Sequence, residues 1–144
     1  TTPVILNVGG ARSGKSVAIA QVIIEHCINE RNKKILITRK TFPALRLSTL
    51  LPFIDMLKDY KLYREEYHNK TFNSLTVNGN FIQFASLDES EKVKSSEWHY
   101  IWMEEGNEFL YEDYVALKLR LSGKCLPGET NHLYLSMNPI DANN

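Results

Sequence analysis

The stretch that decides the fold is Gly9-Gly10-Ala11-Arg12-Ser13-Gly14-Lys15-Ser16. It follows the short apolar run Val4–Val8 and precedes a segment in which apolar residues recur at helical spacing. It fits the pattern G-x-x-x-x-G-K-[ST], in which glycines let backbone N–H groups surround phosphate oxygens and the next helix adds the positive end of its dipole. We therefore expect residues 9–16 to bind the phosphates of a nucleotide.

The last two residues of this motif carry specific chemistry. Lys15 is expected to reach the β- and γ-phosphates, and the Ser16 hydroxyl is expected to ligate Mg²⁺. The motif therefore predicts a nucleotide and Mg²⁺ as ligands. A glycine-rich turn that happens to precede a helix is the alternative, and the complete motif within its strand–loop–helix frame argues against it.

A second constellation is Tyr100-Ile101-Trp102-Met103-Glu104-Glu105, an apolar strand that ends in two acids. The carboxyl ends of parallel strands face one crevice, so these acids should face the phosphates. We assign Glu104 to the metal ion and Glu105 to the attacking water. Glu108, a third acid nearby, is expected to be a solvated residue at a helix start.

The rest of the chain alternates strands and helices. The predicted strands are Val4–Val8, Lys34–Arg39 and residues 72–77, 80–85, 100–103 and 132–136. The predicted helices are one beginning at Lys15, one over residues 43–60 that Pro52 breaks or kinks, and one over residues 111–121. Asn78-Gly79 predicts a tight hairpin turn, because both residues tolerate positive φ. This order indicates an α/β fold whose mostly parallel sheet is flanked by helices, with a β-hairpin insertion near 71–85.

A third polar element follows the last predicted strand, at Ser136-Met137-Asn138-Pro139. The Asn138 side chain is placed to contact the γ-phosphate or the attacking water and to report whether hydrolysis has occurred. A simple Asn-Pro turn is an equal alternative.

These three elements, in this order, resemble the ATPase domain of phage large terminase subunits. They correspond to that family's Walker A motif, its Walker B motif with the catalytic glutamate, and its coupling motif. Further similar stretches are Ile37-Thr38-Arg39-Lys40-Thr41, with Leu45-Arg46 and Ser48 beyond it, and Phe84-Ala85-Ser86-Leu87-Asp88. The resemblance implies a P-loop NTPase of the RecA-like type, with an additional strand and a catalytic glutamate.

The resemblance also implies a function. Such subunits form a homo-oligomeric ring at the capsid, in the host cytoplasm, and couple ATP hydrolysis to translocation of double-stranded DNA. The resemblance therefore implies that the nucleotide is ATP. The implied partners are DNA, the portal protein and the small terminase subunit. Residues 1–144 are expected to be the ATPase domain of a longer protein, whose adenine-binding segment and carboxy-terminal nuclease domain lie outside this sequence.

The sequence departs from the family pattern at two positions. Glu104 stands where the first Walker B acid is usually aspartate. Arg12 lies three residues before Lys15, and the register of the family's P-loop arginine is uncertain here. Arg12 is thus either a cis arginine finger or an exposed loop arginine. Arg46 and Arg120 are candidates for a finger acting across a ring interface.

Composition limits the other possibilities. Seventeen basic residues balance seventeen acidic ones, so DNA contact requires a local patch or parts of the protein outside this sequence. No apolar run is long enough to cross a membrane. Cys27 and Cys125 are expected to be buried and reduced, and Trp98, Trp102 and the group Phe109, Tyr111 and Tyr114 are expected in the core.

Three other functions remain open from the sequence. A nucleotide or small-molecule kinase shares the phosphate loop but needs an acceptor pocket, and the Glu104-Glu105 pair favours hydrolysis over it. A helicase or recombinase motor shares the same core. A nucleotide-binding switch without turnover would not need Glu105.

Overall fold

The computed structural model describes residues 4–8, 15–89, 92–93 and 96–137. The strands are β1 (Val4–Val8), β2 (Lys34–Arg39), β3 (His68–Asn69), β4 (Ser74–Val77), β5 (Asn80–Ser86), β6 (Tyr100–Glu104) and β7 (His132–Met137). The helices are α1 (Lys15–Asn29), α2 (Phe42–Leu45), α3 (Leu51–Asp59) and α4 (Tyr111–Leu119). A π-helical turn covers Arg46–Leu50, and short 3₁₀ turns cover Glu65–Tyr67 and Gly106–Glu108.

All seven strands form one sheet in the order β1-β7-β6-β2-β5-β4-β3. Strands β1, β7, β6, β2 and β5 run parallel, and β4 and β3 add an antiparallel edge. The mostly parallel sheet and its hairpin insertion are therefore confirmed. The predicted additional strand is β7, which lies between β1 and β6.

Alternate residues of the buried strands supply two separate cores. Ile35 and Ile37 of β2 pack into the cluster that includes residues of α1 and α3, whereas Leu36 packs into the cluster that includes Leu117 of α4. Side chains alternate between the faces of a strand, so both faces of the sheet are covered. That burial explains why these strands read as continuous apolar runs.

The hairpin between β4 and β5 turns at Asn78 and Gly79, whose φ angles are 54° and 82°. Two positive φ angles are the signature of the predicted type I′ turn. The predicted strand over residues 72–77 is too long by two residues: β4 begins at Ser74, and Phe72 is exposed.

The helical segment over residues 43–60 is interrupted one turn before its proline. In the π-helical turn the Leu51 N–H group donates to the Arg46 carbonyl, five residues back. Pro52, in the first turn of α3, has no N–H group with which to continue the ordinary α-helical pattern. The predicted break is confirmed, and its form is a π-helical turn that projects Ser48 from the helix.

Several expectations about burial are confirmed and others are wrong. Cys27, Trp98 and Trp102 are buried, but Cys125 is exposed. Tyr111 is 76% exposed rather than part of the core; it is the first residue of α4, and its ring lies 6.1 Å from that of Tyr114. Helix α4 also ends at Leu119, two residues earlier than predicted. Within the described residues, no helix is long and apolar enough to cross a membrane.

Candidate active site

The phosphate-binding motif is framed by the elements that it requires. Strand β1 ends at Val8, and α1 begins at Lys15, so Lys15 and Ser16 are the first residues of that helix. The rest of the predicted motif and the predicted γ-phosphate sensor lie outside the described residues: Gly9, Gly10, Ala11, Arg12, Ser13, Gly14 and Asn138.

Strand register brings the paired glutamates to the edge of the sheet where the phosphate-binding motif begins. Asn7, next to the end of β1, pairs with Ser136 of β7, which in turn pairs with Glu104 at the end of β6. Neighbouring strands lie about 4.8 Å apart, so Glu104 is roughly 10 Å from the end of β1. The carboxyl ends of β1 and β6 therefore meet one crevice, on either side of β7.

Glu104 is a buried carboxylate of which only one oxygen accepts hydrogen bonds from the described residues. Its side chain is 3% exposed, and its Oε1 atom accepts hydrogen bonds from Ser48 Oγ (2.5 Å) and Arg39 Nη1 (3.2 Å). Its Oε2 atom is buried and has no hydrogen-bond partner among the described residues. Burial raises the pKa of this carboxyl group, although the Ser48 hydrogen bond and the charge of Arg39 lower it. A buried, unpartnered carboxylate oxygen suits a hard cation such as Mg²⁺, so the residues present fit the ion that the motif implies.

Arg39, at the end of β2, joins three side chains of this edge. Its Nη1 atom donates to Glu104 and to Ser48 Oγ (3.0 Å), while Nε and Nη2 donate to the two oxygens of Glu108 (3.1 and 3.3 Å). Burial opposes the charge of Arg39, but its hydrogen bond to Glu108 and the surrounding carboxylates raise its pKa. The guanidinium group is therefore held charged between Glu104 and Glu108.

The expectation for Glu108 is confirmed only in part, because the residue lies in the first turn of a short helix but its side chain is paired. It was predicted to be a solvated residue at a helix start, yet its side chain is 35% exposed and forms a two-point ion pair with Arg39. It lies in the 3₁₀ turn Gly106–Glu108, directly after the predicted catalytic acid. Sequence distance concealed the contact, because the two partners are separated by 69 positions.

Glu105 reverses the backbone direction immediately after β6. It adopts the left-handed conformation, with φ 55° and ψ 56°, and its carbonyl accepts the Glu108 N–H (2.9 Å). Glu104 is buried at the strand end, whereas Glu105 is half-buried. The left-handed conformation is uncommon for a residue other than glycine.

Strands β6 and β7 are fastened together at this edge. Trp102 Nε1 donates to Ser136 Oγ (2.9 Å), and both residues are buried. Ser136 lies near the end of β7, two residues before Asn138.

The two candidate trans-acting residues, Arg46 in the π-helical turn and Arg120 after α4, are both exposed.

Arg39 and Ser48 received no role from the sequence, although both lie in stretches that resemble the family. Arg39 ends a buried parallel strand, as Glu104 does, and the rule that such strand ends share a crevice identifies it. Nothing in the sequence marks Ser48, since its position depends on the π-helical turn.

The order of the parallel strands, with β7 inserted between the strand of the phosphate loop and the strand of the paired glutamates, defines a P-loop NTPase of the RecA-like type. The model of the family described as phage terminase large subunit matches residues 2–144. The chain therefore belongs to the phage terminase large subunit family.

Solved structures agree with this assignment. The large terminase of a thermophilic bacteriophage is 18% identical, with a TM-score of 0.80, over 96% of this chain and 34% of that one. The same protein in complex with ATP-gamma-S is 20% identical, with a TM-score of 0.74, over 96% of this chain and 33% of that one. The N-terminal domain of the DNA packaging ATPase from bacteriophage phi29 is 16% identical, with a TM-score of 0.63, over 94% of this chain and 73% of that one.

The chain thus spans about a third of the length of the thermophilic phage terminase. At these identities the likeness shows the fold alone. No curated protein matches the chain.

Proposed function

We propose that this domain hydrolyses ATP with Mg²⁺ as cofactor. In the longer protein, hydrolysis would drive double-stranded DNA into a capsid in the host cytoplasm. The active form would be a homo-oligomeric ring that contacts the portal protein and the small terminase subunit. A nuclease activity would belong to parts outside residues 1–144. Family membership supports this proposal, as do the thermophilic phage terminase in complex with ATP-gamma-S and the name of the phi29 protein, a DNA packaging ATPase.

One observation carries the hydrolytic part of the proposal. The buried Glu104 carboxylate keeps one oxygen unpartnered among the described residues, at the sheet edge where β1 leads into the phosphate-binding motif. Leaving a buried charged oxygen without a partner is unfavourable unless a cation satisfies it. Glu104 and Ser16 would hold Mg²⁺, which when bound neutralises phosphate charge.

The reaction assigns a task to each remaining residue. Lys15 and the backbone N–H groups of residues 9–14 bind the phosphates, and Glu105 orients a water molecule and accepts its proton. The water oxygen bonds to the γ-phosphorus as the bond to the bridging oxygen breaks, releasing ADP and inorganic phosphate. Asn138 senses the γ-phosphate, and Arg12 stabilises charge on it in cis.

Arg39 and Ser48 keep Glu104 in place for this chemistry. Both donate to its Oε1 atom, so Oε2 would be available to hold the cation. An arginine from a neighbouring subunit, with Arg46 and Arg120 as candidates, would complete the site and contribute ~10³–10⁵ in rate. The isolated domain should therefore be a slow ATPase, and turnover at tens per second at any dilution would contradict the contribution in trans.

The experiment compares wild-type protein with Glu105→Gln and with Glu112→Gln, a matched change at an exposed acid of α4. Phosphate release is measured at high protein concentration with and without Mg²⁺, and ATP binding is followed in parallel with a fluorescent ATP analogue. We expect Glu105→Gln to bind ATP but lose ~10²-fold or more of the rate, while Glu112→Gln behaves as wild type. Equal rates in all three proteins would contradict the role of Glu105.

A further inference from the structure

A second concave site lies at the opposite end of the sheet. A pocket of about 540 Å³ is bounded by the loop between α1 and β2, the β4–β5 turn and the segment after α3. Its lining includes Arg31, Lys61, Arg64, Tyr67, Asn78 and Gly79. Arg31 and Gly79 precede the amino ends of β2 and β5, whereas Glu104 lies at a carboxyl end. The pocket is therefore remote from the proposed ATP site.

The charged residues that line this pocket are all basic. Arg31, Lys61 and Arg64 line it, no acidic residue does, and none of these three cations forms an ion pair within the described part of the chain. Glu65 and Glu30, which adjoin Arg64 and Arg31, pair with Lys70 (2.9 Å) and with His26. Asp59 and Glu66 are exposed and do not line the pocket. Arg31 Nη1 donates to the Ile28 and Glu30 carbonyls (3.4 and 3.1 Å), so its charge has no acidic partner. Three cations without an acidic partner around one cavity favour an anionic ligand.

The walls of the pocket are fixed by buried hydrogen bonds. The fully buried Asn80 donates to the carbonyls of Cys27 (3.2 Å) and Glu30 (2.8 Å), and its Oδ1 atom accepts the Lys33 N–H (2.9 Å). The neighbouring Asn78 also donates to the Cys27 carbonyl (2.9 Å). The end of α1 and the hairpin turn are thus one unit, and this unit carries Arg31.

The opposite wall is fastened in a similar way. Tyr63 and His68 are joined by a hydrogen bond between Oη and Nδ1 (2.7 Å), and the Leu62 N–H donates to the Leu57 carbonyl (2.8 Å). Lys61, Arg64 and Tyr67 project from this segment. Because hydrogen bonds fix the backbone of both walls before a ligand binds, the entropy cost of ordering them on binding is small.

We propose that this pocket binds the phosphodiester backbone of DNA. Guanidinium groups bind phosphate oxygens in a two-point geometry, and an ammonium group adds charge. The volume exceeds that of one phosphate group, and the Tyr67 ring, 55% exposed, offers a face to the adjoining sugar or base. The choice of DNA rests on the proposed function, whereas the preference for a polyanion rests on the pocket alone. This is the local patch that a chain of zero formal charge needs for DNA contact.

The test uses the 144-residue chain and a fluorescein-labelled duplex of about 20 base pairs. Anisotropy gives the affinity over a range of NaCl concentrations for wild type and for Lys61→Gln/Arg64→Gln. The matched control is Lys118→Gln/Lys124→Gln, which removes two positive charges at exposed positions on another part of the surface. Circular dichroism and thermal melting verify that all three proteins fold.

We expect the pocket variant to bind DNA about ten-fold or more weakly, and its plot of log affinity against log salt to lose a slope of about two. The control should stay within about two-fold of wild type. Equal affinities of the two variants, or no binding by wild type, would overturn the proposal. So would displacement of DNA by polyglutamate at equal charge concentration, since the pocket would then be a site for acidic peptides. Binding of a fluorescent ATP analogue in the same samples reports on the ATPase proposal separately.

Discussion

Glu105, for which we propose the catalytic role, has an unfavourable backbone conformation. Its φ of 55° places a residue with a Cβ atom in the left-handed region, at a cost of about 1–2 kcal/mol. Such strain persists where the surrounding structure enforces it, and it clusters at functional sites. Here Glu105 lies between the end of β6 and the 3₁₀ turn Gly106–Glu108, which together enforce the conformation.

The strain at Glu105 can be measured with two variants. Glu105→Ala removes the side chain and keeps the left-handed strain, whereas Glu105→Gly removes both. We expect Glu105→Gly to be more stable than Glu105→Ala by about 1 kcal/mol in urea unfolding, because glycine adopts this conformation freely. Equal stabilities would show that the left-handed conformation is not strained.

The contacts of Arg39 are expected to be unequal in energy. Arg39→Ala leaves the buried Glu104 carboxylate with Ser48 as its only hydrogen-bond donor among the described residues, and we expect a loss of about 2–4 kcal/mol in unfolding free energy. Glu108→Gln should cost less than ~1 kcal/mol, because that carboxylate is partly solvated. Urea unfolding of both single variants and of the double variant measures the contributions of Arg39 and Glu108 to the unfolding free energy. Losses of the same size would contradict the central place of Glu104 in the network.

At the scale of elements, His99 joins two strands to the loop after α4. Its Nδ1 atom accepts the Lys34 N–H (3.0 Å), and its Nε2 atom donates to the Lys124 carbonyl (2.9 Å). Gly123 lies against the imidazole ring, and a Cβ atom there would come within 2.7 Å of three ring atoms. This close approach to the His99 ring explains why glycine occupies position 123.

Gly123→Ala should therefore displace the His99 ring. We expect a loss of about 1–3 kcal/mol in unfolding free energy and a shifted His99 ring signal in NMR spectra. Gly128→Ala is the control, since nothing lies within 4 Å of its added Cβ atom and only its φ of 86° opposes the change. An unshifted His99 signal in Gly123→Ala would contradict the close contact.

The same histidine makes stability depend on pH. Burial lowers the pKa of His99 below its ordinary value of 6.5, and protonation would remove the acceptor that Lys34 uses. The unfolded chain then binds the proton more readily, so unfolding free energy should fall as pH decreases below about 6.5. His99→Gln should flatten this dependence, but only in part, because burial also lowers the pKa of His68. An unchanged pH profile in His99→Gln would contradict the assignment.

At the scale of the whole molecule, local patterns predicted most of the fold. Strands β1 and β2 have their predicted bounds, since buried parallel strands read as apolar runs, and Asn78-Gly79 marks the hairpin turn. What the sequence did not show depends on contacts between distant segments. The pair between Arg39 and Glu108, the placement of Ser48 by a π-helical turn and the packing of Gly123 on His99 are all of this kind. The exposure of Tyr111 and Cys125 likewise follows from tertiary packing.

The central claim is that residues at the edge formed by β1, β7 and β6 activate a water molecule to attack the γ-phosphate of ATP. Incorporation of solvent oxygen into the released phosphate tests this claim most directly. ATP and Mg²⁺ are incubated with concentrated protein in ¹⁸O-labelled water, and the inorganic phosphate is analysed by mass spectrometry, so that slow turnover suffices. We predict one solvent oxygen in each phosphate released by wild type. The yield of phosphate from Glu105→Gln should be lower by ~10²-fold or more. Phosphate transferred to an acceptor other than water, or an equal yield from both proteins, would contradict the account.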